Sequence, residues 1–300
     1  MSKKIYLPGF DKMPLYDITS FFLRAIRNGS ITMRASSLSF KFFLAVFPAL
    51  IFLFSLLPYI PVDNFQAILL AQLKHFMPAN AYALAQSTIE DLVVHKRGGL
   101  LSLGFIMTVY VASNGINAMI SAFNKSYFTI EKRSAFKQRL VAFELIFILT
   151  FLLFIAIFLI IFGKLILNWL MSRNYIQSDS TIILLQLAKW IIVVLLIYFS
   201  FSFIYFLGPS RKIKWRFFSP GSTLATILTI AVSIGFAYFV NNFGQYNKLY
   251  GSIGSLIVIL LWIYFVSIIL LTGFELNASV LNAKKVRGSQ AAKQISARDC

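Results

Sequence analysis

The sequence predicts an all-α fold: a polytopic membrane helix bundle with six transmembrane helices and both termini in the cytoplasm. Three observations predict it. Six stretches of 19 or more residues contain no Asp, Glu, Lys or Arg: Phe42–Val62, Leu100–Asn124, Leu145–Gly163, Trp190–Ser210, Phe217–Asn247 and Leu249–Phe274. Each is near the ~20 apolar residues that a helix needs to cross the hydrocarbon core. The composition, 59% hydrophobic and 13% charged with a mean hydropathy of +0.79, is far from the roughly 25% charged residues of a globular domain. The runs are also continuous, whereas an outer-membrane barrel shows ~10-residue segments of alternating polarity.

The third observation is where the 28 basic residues lie. Lys3, Lys4, Lys12, Arg24, Arg27 and Arg34 precede the first span; Lys125, Lys132, Arg133, Lys137 and Arg139 follow the second; Arg211, Lys212, Lys214 and Arg216 follow the fourth; Lys284, Lys285, Arg287, Lys293 and Arg298 follow the sixth. The other three connections hold only Lys74, Lys96, Arg97, Arg173 and Lys248. A bias of this kind marks the cytoplasmic side, and an even number of spans returns the chain to the side where it began. The net charge of +18 is therefore a topology signal first. Attraction to the anionic headgroups of membrane lipids is its second consequence. No nucleic-acid-binding motif accompanies it, so no nucleic-acid partner is expected.

In chain order, residues 1–34 form a cytoplasmic segment. Within it Leu15, Ile18, Phe22, Ala25 and Ile26 share one face of a helix from Pro14 to Asn28, ended by Gly29. Such a helix ahead of a first span rests in the membrane interface, or else binds a partner. Residues 35–280 are the six-span domain. Pro48 predicts a kink in the first span. The segment from about 59 to 99 is too long for a turn, and its apolar spacing, interrupted by Pro78, predicts two short helices on the outer face. Residues 281–300 are expected to be a disordered cytoplasmic tail, with the lone Cys300 at its end unable to form an internal disulfide. The first long apolar run begins some forty residues in, later than a signal-peptide h-region, so the first helix serves as its own insertion signal.

Polar groups inside the spans are the candidate functional residues. Tyr110, Asn114, Asn117, Ser121 and Asn124 are spaced four, three, four and three, on one face of the second helix. Amides in hydrocarbon must be bonded or hydrated, so this stripe either makes interhelical hydrogen bonds or lines a pathway. Ser222, Thr226 and Ser233 in the fifth span, and Gly251, Gly254 and Ser255 in the sixth, read as small residues for close helix packing. A discontinuous helix opening at those glycines is the functional alternative. Lys41, Glu144 and Glu275 share a depth near the cytoplasmic ends of spans one, three and six. They are candidates for an intramembrane ion pair, with snorkelling of Lys41 or a headgroup or proton site as alternatives. Lys164 and Lys189 are expected to anchor the outer ends of spans three and four.

Several motifs resemble those of the YihY/BrkB family of bacterial inner-membrane proteins. They are Arg34-Ala35-Ser36-Ser37-Leu38-Ser39-Phe40 with Phe47-Pro48, Asn117, Phe123-Asn124-Lys125-Ser126-Tyr127, Gly208-Pro209, Trp215 and Ser219-Pro220-Gly221. Tyr250-Gly251-Ser252-Ile253-Gly254, Trp262-Ile263-Tyr264 and Gly273-Phe274-Glu275-Leu276-Asn277-Ala278 complete the set. Two positions depart from the pattern: Lys41 stands where an aromatic or neutral residue is expected, and the fifth span lacks a tryptophan near Thr229. The resemblance implies a six-span envelope protein with both termini inside. Members have carried the label ribonuclease BN, and others have been linked to serum resistance and to transport of lipid or lipopolysaccharide.

A hydrolytic nuclease needs clustered metal ligands, a base and a phosphate clamp. His75 and His95 are twenty residues apart without a ligand motif, and only ten acidic residues exist, so neither catalytic residues, nor a bound metal, nor a cofactor is expected. The remaining roles are transport of a lipid or other amphiphile, or assistance to it, and a non-transporting scaffold for envelope machinery. No ATP-binding sequence is present, so pumping would draw on an ion gradient or a partner. Partners beyond membrane lipids are a second copy of the chain or other envelope proteins.

Overall fold

A computed structural model describes residues 14, 16, 18–20, 22, 23, 31–59, 97–126, 133–172, 179–210, 219–242 and 244–296. Among these lie six long helices: α1 (Ile31–Leu56), α2 (Gly98–Asn124), α3 (Ala135–Ser172), α4 (Asp179–Leu207), α5 (Pro220–Asn242) and α6 (Gly244–Ser296), with a 3-10 turn, Leu57–Tyr59, closing α1. No strand occurs among the described residues. Each helix contains a segment long and apolar enough to cross a membrane. Phe147, Ile234 and Leu184 are well exposed, as side chains facing lipid should be. The segment expected to hold two outer helices lies, apart from Tyr59 and residues 97–99, outside the described residues.

Two helices, α1 and α6, differ in course from what their uncharged runs suggest. Pro48 lies inside α1 and cannot donate to the Leu44 carbonyl, yet the helix runs on to Leu56. α6 has 53 residues, about 80 Å at 1.5 Å per residue, against a bilayer of ~40–45 Å with its headgroups. It therefore projects beyond the membrane. Its backbone is helical to Ser296, through most of the stretch expected to be a disordered tail.

The start of that stretch meets the other end of the chain. Residues 16, 18–20, 22 and 23 are helical, and Ile18 is buried against Val280 and Ala283 of α6, with Leu276 beside them. Positions 276, 280 and 283 lie on one face. The contact thus joins the helical segment ahead of α1 to the last third of α6. Ile18→Ala is expected to cost about 2 kcal/mol and to be read as faster proteolysis within the first thirty residues.

The chain divides into two compact units, one of residues 32–119 and 230–268, the other of residues 1–31, 120–229 and 269–300. In the first, α1 and α2 run antiparallel at close range. A Cβ on Gly104 would sit 3.2 Å from the Phe52 backbone, and one on Gly115 would meet the Phe42 ring at 2.8 Å. Small residues of this kind let helix backbones approach where lipid supplies no hydrophobic drive. Phe236 of α5 packs on Trp262 of α6 with ring centroids 5.1 Å apart. The second unit holds the α3–α4 pair and the polar cluster described next.

Candidate functional site

The most densely bonded part of the second unit gathers the ends of α2, α4 and α5 around α6. α5 starts at Pro220, where the fixed φ suits a first helical position. Ser219 caps it, its Oγ accepting from the Ser222 N–H at 3.1 Å and its carbonyl accepting from the Thr223 N–H at 3.1 Å. The Ser219 N–H donates to the Tyr198 hydroxyl of α4 at 3.0 Å. Asn277 of α6 completes the cap from outside: its Oδ1 accepts from the Gly221 N–H at 2.8 Å, and its Nδ2 donates to Ser219 Oγ at 3.1 Å. An N–H that the helix start would leave orphaned is thus satisfied by a neighbouring helix. The approach needs Gly221 and Gly273, since a Cβ on Gly221 would overlap the Gly273 carbonyl oxygen and lie 2.6 Å from the Asn277 amide.

The end of α4 is closed in a similar way. Arg133, just ahead of α3, donates through Nη1 to the Leu207 carbonyl at 3.0 Å and, more weakly, to that of Gly208 at 3.4 Å; Nη2 donates to the Pro209 carbonyl at 2.7 Å. These carbonyls lack intrahelical partners and lie at the negative end of the helix dipole. Burial lowers the Arg133 pKa from its ordinary value, and the field of Glu144 opposes that shift; the guanidinium stays charged. Asn124, ending α2, exchanges two bonds with Ser210: Nδ2 donates to Ser210 Oγ at 2.8 Å, and Oδ1 accepts from the Ser210 N–H at 2.9 Å.

An aromatic core lies beside these bonds. Phe123 and Phe274 stack with centroids 4.0 Å apart, and the buried Tyr205 packs on both while its hydroxyl donates to the Leu270 carbonyl at 2.9 Å. Next to Phe274, Glu275 is only 3% exposed. Its Oε1 accepts from the Ser126 hydroxyl at 2.6 Å.

The residues singled out from sequence fall in different settings. On α2, Tyr110 and Ser121 are exposed, while Asn114, Asn117 and Asn124 are half-buried. The fully buried face of that helix carries Ser113, Ile116, Met119, Ile120 and Phe123 instead. Ser222 and Thr226 are buried and Ser233 half-buried; Gly254 is buried, and the side-chain surroundings of Gly251 and Ser255 lie outside what is described. α6 runs unbroken through these positions, so no discontinuous helix opens there. Lys41 and Glu144 are exposed and Glu275 is buried; Glu275 accepts from Ser126, and the charge of Glu144 is felt at Arg133. Lys189 lies over the Trp190 ring at 5.3 Å. Sequence reasoning missed Arg133 and Tyr205. For the first, the available signal was only its place in the basic stretch Lys132–Arg139 ahead of the third uncharged run.

Asn124, Gly208-Pro209, Ser219-Pro220-Gly221 and Gly273 to Asn277, separate blocks in the sequence, thus meet in one cluster. The family model described as virulence factor BrkB matches residues 22–297. This chain belongs to the BrkB family. Similar proteins include the putative ribonuclease-like protein YfkH of Bacillus subtilis, 34% identical over 84% of this chain and 91% of that protein. A UPF0761 membrane protein of Photobacterium profundum is 24% identical over 92% of this chain and 84% of its own. Another, from Mannheimia succiniciproducens, is 27% identical over 86% and 87%. No solved structure matches the chain. It is an integral, multi-pass membrane protein of this bacterial family, and nothing in the comparisons points positively to an enzymatic activity. Among the described residues no group of three His, Cys, Asp or Glu side chains is placed to hold a metal ion.

Proposed function

We propose that this BrkB-family protein resides in the bacterial inner membrane with both termini in the cytoplasm, and moves a lipid or other amphiphile across the envelope or assists that movement. The observation that carries the reading is the α2 stripe. Its amides at Asn114 and Asn117 are half-buried and Tyr110 is exposed, while the neighbouring face of the helix, with Ile116, Ile120 and Phe123, fills the core. A polar stripe at membrane depth has to meet water, headgroups or protein, and a headgroup route provides the first two. The basic segments beside the spans favour anionic headgroups. Their excess on one side favours a cytoplasmic location for the two ends that meet at Ile18 and Ala283.

The proposed role is not enzymatic; the ribonuclease-like name belongs to the Bacillus relative, and the residue inventory offers no hydrolytic centre. Processing of a tRNA precursor by purified protein, lost in Glu144→Gln or Glu275→Gln, would refute this. The transport reading is tested in vesicles holding a fluorescent anionic phospholipid. Wild-type chain should accelerate leaflet exchange, and the double variant Asn114→Leu/Asn117→Leu should lower the rate by about tenfold or more at unchanged thermal stability. Exchange at the rate of empty vesicles would favour the scaffold role instead.

A further inference from the structure

α6 carries a polar row that starts at Glu275 in the cluster of helix ends and continues past it. Glu275, Ser279 and Asn282 are spaced four and three, on one stripe of the helix, with exposures of 3%, 2% and 7%. On the side away from the chain end the row meets Leu271 and is flanked by Leu270 and Phe274, all buried, with Phe274 under the Phe123 ring. The polar row therefore stops at the carboxylate, against an apolar plug. Asn282 Oδ1 is shielded from solvent and makes no hydrogen bond. A buried acceptor in that state is costly unless a water serves it. Successive members of the row are about 5–6 Å apart, a gap that one bridging water spans.

We propose that Asn282 and Ser279 hold a hydrated row that delivers protons to Glu275 from the side on which the chain ends lie, and that Glu275 is the group coupling transport to a proton gradient. The coupling half rests on the transport reading; the row does not. The 2.6 Å bond from Ser126 has the length of a charge-assisted O–H···O⁻ contact. When hydronium in the row gives up its proton, one O–H bond breaks there and one forms on Glu275, leaving water and a neutral carboxyl. The bond from Ser126 then loses its charge assistance, and the change is felt where α2 ends. Among the described residues, the titratable and charged groups on the elements packed against this part of α6 are the Tyr205 hydroxyl, committed to Leu270; Tyr198, committed to Ser219; Arg133, committed to the end of α4; and the exposed Tyr16, Lys125 and Lys284.

Infrared difference spectroscopy of the full chain in detergent, recorded after a pH jump, tests the row without any lipid assay. Glu275→Gln should remove one titrating carboxyl band. Asn282→Leu should slow its appearance by about tenfold or more while Asn282→Ser keeps the wild-type rate, and should Asn282→Leu fail to fold, Ser279→Ala reads the same row. A band that survives Glu275→Gln, or that appears at the wild-type rate in Asn282→Leu and Ser279→Ala, overturns the proposal. Normal carboxyl titration with leaflet exchange indifferent to a proton gradient keeps the row and refutes the coupling.

Discussion

A methyl group at position 221 is expected to unseat the start of α5. Gly221→Ala would place its Cβ on the Gly273 carbonyl oxygen and 2.6 Å from the Asn277 amide, and neither neighbour can yield cheaply. The first is helix backbone; the second is held by bonds to Gly221 and Ser219. Overpacking of this kind costs ~1–3 kcal/mol, and the strained Asn277 bonds add to it, so a loss of about 4 kcal/mol in thermal or denaturant unfolding in detergent is expected. Gly235 supplies the control. A Cβ there meets nothing within 4 Å, and Gly235→Ala should leave stability unchanged or raise it by up to ~1 kcal/mol through helix propensity. Equal losses at the two positions would mean that the close approach of Gly221 to Gly273 is not what matters.

Arg133→Met is expected to have an effect of similar size. It removes the donors to the Leu207, Gly208 and Pro209 carbonyls together with the charge that complements the end of α4. Hydrogen bonds to a charged group contribute ~1.5–3 kcal/mol each. Since the three share one geometry, a net loss of about 3–4 kcal/mol is expected, measured as above. Arg133→Lys should recover less than half of it, because an ammonium is a point donor and cannot span three carbonyls as the planar fork does. Full recovery by lysine would show that charge alone, rather than the fork, holds the α4 end.

The six spans were legible because lipid demands long uninterrupted apolar runs, and that demand is written residue by residue from Phe42 to Phe274. The course of α6 beyond them was not. Residues after Leu281 are polar enough to read as a tail, and the packing of Val280 and Ala283 with Ile18 joins positions more than 250 residues apart, which spacing along the chain does not reveal. Helical spacing groups Asn124 with Asn114 and Asn117, but spacing cannot show that the Asn124 amide is committed to Ser210 across 86 positions. The same limit hid Arg133, whose three acceptors are backbone atoms and leave no trace in composition. Gly221 and Gly273 were visible as motif residues; the physical reason for them, one helix start pressed against another helix's backbone, exists only once the chain is folded.

The seat of Ile18 on α6 also sets an order of events during synthesis. The residues that form that seat leave the ribosome some 265 positions after Ile18, which at ~5–20 residues per second is roughly 15–50 s later. Until then Ile18 lacks this seat, and a chain truncated anywhere before Val280 never gains the contact. The contact can close only in molecules whose translation has passed every helix between Ile18 and Val280.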